Sequence, residues 1–114
     1  MIDENIQQIE LSLEAAKEKV ELMEAVDRLY QNKDFQKVFV TDYFRDEPAR
    51  LVELRSSPQM ALPERQDSLL RAMDAIGYLQ LHLSSIQKLG DMAKNEVEAG
   101  AEAIAELEGM GVES

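Results

Sequence analysis

His82 is the one imidazole in the chain and the first place to look for acid–base or metal chemistry. A di-metal helical bundle sets a carboxylate three residues before such a histidine. Here Leu79 stands three residues before His82 and Tyr78 four before, so no ligand pair forms. The expectation is a partly buried or rim histidine. Carboxylates gather at Asp42, Asp46 and Glu47 and again at Glu102, Glu106 and Glu108, without the glycine spacing of a calcium loop. They read as solvated helix surface. The chain has no cysteine, which excludes disulfides, a thiol nucleophile and any cysteine-held zinc or iron–sulfur centre. No phosphate-binding glycine loop, dinucleotide fingerprint or nucleophile elbow is present. The six methionines are scattered and read as gap filling. No catalytic residue, metal ligand or cofactor is expected, and the chain reads as a non-enzyme.

The elements carry more information. At 114 residues and 12.9 kDa the prior is one domain, and 45% apolar residues suffice for a modest core. Gly and Pro are sparse: Pro48, Pro58 and Pro63 lie in the middle third, and all five glycines follow residue 76. Residues Ile2, Ile6, Ile9, Leu13, Ala16, Val20 and Met23 step by 4 and 3, an a/d heptad seam, and predict a helix over 2–31. A second stripe, Leu11, Ala15, Leu22, Ala25 and Leu29, widens its apolar face. Asn32 can cap a second helix over 34–56, kinked or broken at Pro48. Phe35, Val38, Phe39 and Tyr43 share one α-helical face there, and the aromatics make this the expected densest part of the core. Pro63 opens a third helix over 63–108. Leu69, Ile76, Leu83, Gly90, Val97 and Ile104, with Ala72, Leu79, Ile86, Ala93, Gly100 and Leu107, give six heptads with no charge in the seam. Gly90, Ala93 and Gly100 thin that seam and mark either a close helix approach or a hinge. Gly109-Met110-Gly111 should end the helix and leave 109–114 as a flexible tail. The fold class is all-α: a three-helix bundle in one domain, residues 1–108, with long amphipathic outer helices and a shorter middle one. Its expected core is Phe35, Val38, Phe39, Tyr43, Leu51, Leu69, Met73, Ile76 and Leu79.

The formal net charge is -11. Residues 1–30 carry -5, residues 31–71 zero and residues 72–114 -6. An acidic chain repels a phosphate backbone, so direct nucleic-acid binding is not expected. No apolar run is long enough to cross a membrane. The acidic first residues resemble neither a secretory nor a transit peptide, so a cytoplasmic location is expected. The three helices are unequal. In an up-down-up bundle the third overshoots by about 20 residues, leaving its apolar strip without a partner in the same chain. That predicts a homo-oligomer, with Ile6, Ile9, Leu13, Leu83, Ile86, Val97, Ile104 and Leu107 as oligomer or partner contacts.

The stretches Lys33-Asp34-Phe35-Gln36-Lys37-Val38-Phe39, Tyr43-Phe44-Arg45-Asp46-Glu47 and Ala49-Arg50-Leu51-Val52-Glu53-Leu54 form one pattern with two later ones. These are Ala75-Ile76-Gly77-Tyr78-Leu79-Gln80 and Lys88-Leu89-Gly90-Asp91-Met92-Ala93. Together they resemble small acidic helical proteins encoded by tailed bacteriophages, over about half of the chain. Pro48 departs from the uninterrupted helix of that pattern. The resemblance implies a viral origin and a structural or head-assembly accessory role, in the host cytoplasm or the virion. Such a protein would self-associate and dock on a capsid, scaffold or portal protein. The charge supports an alternative, an acidic phage-encoded inhibitor of a host nucleic-acid-processing enzyme.

Overall fold

Asn32 breaks the first helix. Its backbone is extended (φ -73°, ψ 127°), and its Oδ1 accepts the Phe35 N–H at 3.0 Å, so one residue ends α1 (Ile2–Gln31) and caps the next helix. The computed structural model describes residues 2–113. They are helical with two short connections, and no strand occurs among them, so the class is all-α. No described residue has a positive φ.

The middle helix is continuous from Lys33 to Ser56, but its winding changes. After α2 (Lys33–Phe35), residues Gln36–Asp46 wind as a π-helix, and α3 (Glu47–Ser56) returns to α geometry. The Glu47 N–H donates to the Asp42 carbonyl, five residues back. Pro48 accounts for the place of the switch. In α winding its ring would strike the carbonyl of Phe44, and the wider turns before it relieve that clash.

The same winding corrects one expected core residue. Aromatic rings recur every four or five residues: Phe35 stacks on Phe39 at 5.1 Å between centroids, and Phe39 meets Tyr43 at 6.2 Å and Phe44 at 6.3 Å. Tyr30 closes the ladder edge-on against Phe35 at 5.4 Å. Val38, placed for α spacing, turns off this track and is 53% exposed.

A 3-10 turn (Pro58–Met60) leads into α4 (Pro63–Glu113). Gln66 ties this connection down. Its Nε2 donates to the carbonyls of Arg55 (3.0 Å) and Met60 (2.7 Å), and its Oε1 accepts from Arg55 Nε (3.2 Å). The expected helix end at Gly109 is not seen: α4 runs to Glu113, and Ser114 lies outside the described residues.

The chain gathers into two compact units where one domain was expected. The first is 1–26 with 86–114, and the second is 27–85. The second contains parts of three helices. Its core is Leu51, Leu69 and Ile76, at 3%, 6% and 3% exposure, with Tyr43, Phe44, Leu54, Met60 and Met73 packed against them. Leu79 is half-buried. The centre is therefore aliphatic, and Phe35, Phe39 and Tyr43 are only half-buried. The first unit contains only two helical segments.

Candidate functional site

In the two-helix unit, large residues of α1 face glycines of α4. A Cβ built on Gly90 would lie 2.8 Å from both Met23 Cγ and Sδ, and one on Gly100 would lie 2.5 Å from Leu13 Cδ2. Ten residues separate Leu13 from Met23, and ten separate Gly90 from Gly100. The helices therefore run antiparallel in step, with Met23 opposite Gly90 and Leu13 opposite Gly100. The same register sets Ala16 and Val20 near Val97 and Ala93, and Ala16 and Ala93 are buried to 2% and 1% exposure. Gly90 and Gly100 serve a close approach, and α4 passes both without a break.

This register corrects the premise that the second half of α4 lacks a partner in its own chain. Ile6, Ile9 and Leu13 lie on the α1 seam, and Ile86, Val97, Ile104 and Leu107 on the α4 seam that faces it. All are half-buried within one copy. Leu83, also expected at an intermolecular contact, falls among the residues of the second unit and is buried within one copy. The physical reason is length. The middle helix belongs with residues 63–85, which frees residues 2–26 to pair with 86–110. Sequence reasoning missed this match, although the ten-residue spacings of Leu13/Met23 and Gly90/Gly100 carry the signal.

The two flanks of this pair differ in chemistry. In an antiparallel pair, residues just before the first seam position of each heptad fall on one side, and those just after the second fall on the other. On the first side, Asn5, Gln8, Ile9, Ser12, Leu13, Glu96, Gly100 and Leu107 line an open groove with a single charge. On the second, Lys17, Val20, Glu21, Glu24, Lys94, Val97 and Glu98 line a groove with five. Charge also separates the units. Residues 1–26 and 86–114 hold fourteen acids and four bases, a net of -10, whereas residues 27–85 hold nine acids and eight bases, a net of -1.

His82, expected at a partly buried or rim position, is exposed on α4. Among the described residues, no group of three or more His, Cys, Asp or Glu side chains could hold a metal ion. None of the described helices is long and apolar enough to cross a membrane. Among the described residues, the one pair of side chains with perturbed acidity lies on α3, with Glu47 half-buried and Arg50 exposed. Arg50 hydrogen-bonds Glu47 through Nε (3.1 Å) and through Nη2. This holds the Glu47 carboxyl below its ordinary range and raises the Arg50 guanidinium. Such a surface pair one helical turn apart contributes only a small amount to helix stability. Comparison with protein-family models, curated proteins and solved structures finds no match in any of the three.

Proposed function

We propose that the chain is a non-enzymatic helical interaction protein that self-associates and docks on another protein. The observation that carries this reading is the incomplete cover of the two-helix unit. Within one copy Ala16, Met23 and Ala93 are buried, but Ile6, Ile9, Leu13, Val97, Ile104 and Leu107 stay half-open, and Leu22, Leu89, Met92 and Met110 stand exposed. Apolar surface left in water costs about 25 cal/mol per Å². Two helices have only one contact face each, so a second layer is the usual way to close such a unit. The resemblance to tailed-phage helical proteins supplies a setting: a head-assembly accessory in the host cytoplasm or virion, docked on a capsid, scaffold or portal protein. Sedimentation over a range of concentrations tests self-association, and an oligomer is expected. A monomer at every concentration overturns that part. The phage setting is tested on a gel of purified particles and their precursors, where a stoichiometric band is expected in one of them.

A second reading is favoured by one observation, the net of -10 gathered in a single unit. It is an acidic inhibitor of a host nucleic-acid-processing enzyme, held by charge. It expects capture of a polymerase or nuclease from host lysate, abolished by high salt.

A further inference from the structure

We infer that two copies of the chain associate through the weakly charged side of the α1–α4 pair, forming a four-helix layer with the acidic sides outward. This rests on the self-association proposed above and names its face. Three observations carry it.

The first is the placing of charge. Taking the two heptad flank positions on each side of the seam over residues 2–26 and 86–110, the side of Ser12 and Ala99 holds Lys19, Glu96 and Glu106 as its only charges. The side of Lys17 and Glu24 holds ten charges at fourteen such positions. A copy stacked on the first side buries little charge, and the lone Lys19 matches the acids that its partner presents. The same stacking on the second side would bring carboxylates face to face.

The second observation is exposed apolar surface. Of the five large apolar side chains exposed among the described residues of this unit, Leu22, Leu89, Met92 and Met110 lie on the weakly charged side, and only Leu11 lies elsewhere. Apolar exposure and missing charge thus coincide, as they do at the centre of an interface.

The third is area. A helix face of 25 residues is about 38 Å long, and two helices side by side are about 20 Å wide, so the footprint is roughly 760 Å². A standard interface covers about 800 Å² on each partner. The face therefore suits one second copy. A single added helix would leave about half of it bare.

The test uses the whole chain and two matched double variants on the same turns of α4. Ala99→Glu with Ala103→Glu adds two carboxylates to the weakly charged side. Ala101→Glu with Ala105→Glu adds two to the opposite side. Circular dichroism checks that both keep the helix content of the parent, and sedimentation reads the association constant. The parent is expected to dimerise, more tightly as salt screens the acidic outer sides. The 99/103 pair should weaken the dimer roughly a hundredfold or more, as expected for burying unpaired carboxylates. The 101/105 pair should leave it within about threefold, as expected of surface changes away from a contact. If the 99/103 pair loses helix, Leu22→Ser with Met92→Ser replaces it, with the same expected loss. A parent that stays monomeric overturns self-association altogether. A dimer weakened equally by both pairs, or only by the 101/105 pair, overturns this face and leaves self-association standing. A Lys-rich amphipathic peptide provides the third arm. If it binds the monomeric parent, more tightly in the 99/103 pair and not at all in Leu22→Ser with Met92→Ser, the face belongs to a basic partner and the inference is overturned.

Discussion

The pairing register of α1 and α4 stands or falls on one methyl group at Gly90. In an open helix, Gly→Ala stabilises by about 1 kcal/mol, because alanine loses less backbone entropy on folding. Gly77 is such a position, with nothing within 4 Å of an added Cβ. At Gly90 the new methyl would sit 2.8 Å from Met23 Cγ and Sδ and closer still to the Met23 Cβ, which is fixed to the backbone. The helices must part locally, at an overpacking cost of about 1–3 kcal/mol. The net expectation for Gly90→Ala is a loss of about 1 kcal/mol, so the two variants differ by about 2 kcal/mol. Gly100→Ala falls between them, since the atom it meets first is Leu13 Cδ2, the far end of a side chain that can turn away. Urea titrations followed by circular dichroism read the order from the midpoints, provided the slopes agree. If Gly90→Ala gains as much as Gly77→Ala, Met23 does not face Gly90 and the antiparallel register is wrong.

Other outcomes follow from the second unit. Leu51→Ala should cost about 2–5 kcal/mol, measured by chemical denaturation, because the cavity opens between Leu69 and Ile76. Asn32→Ala should cost about 1 kcal/mol through the lost bond to the Phe35 N–H, with Asn32→Asp retaining most of it in thermal melts. Glu47→Gln should lower stability slightly at neutral pH and not at all in acid. The folded carboxyl is held below its unfolded value, so its contribution is present above the ordinary carboxylate range and disappears as pH falls through the lowered value. A gap between the two proteins that persists in strong acid would show that Glu47 acts by packing rather than by charge.

Periodicity made the long helices legible. The steps from Ile2 to Met23 and the heptads from Leu69 to Leu107 name seam residues that are buried or half-buried, except Ala72, which is exposed. Which seam meets which depends on where the middle helix stops covering its neighbours, and heptad spacing carries no such information. Val38 departs for a different reason: α spacing does not hold in a stretch that winds in wider turns before Pro48. The aromatic content of residues 35–44 points to the core, yet Leu51, Leu69 and Ile76 are more deeply buried, because rings on a π-wound face pack first on each other. Gly109 and Gly111 predict a helix stop. With no residue in the left-handed region they act only as weak helix formers, and the helix continues past them. The asymmetry between the flanks of the α1–α4 pair was in the sequence throughout, but it becomes a surface only once the register fixes which flanks lie together.

The register also has a kinetic consequence. Met23 and Gly90 are the innermost facing glycine contact, and sixty-six residues lie between them in the chain. If those residues had to close as a loose loop, the entropy of bringing the two ends together would slow folding. They are not loose, because residues 27–85 make a compact unit of their own. Once that part has formed, the two arms can zip from Met23 outward, one turn at a time, toward Ile2. Resistance to solvent exchange should then fade gradually along both arms, highest beside Met23 and Gly90 and lowest near residues 2 and 110.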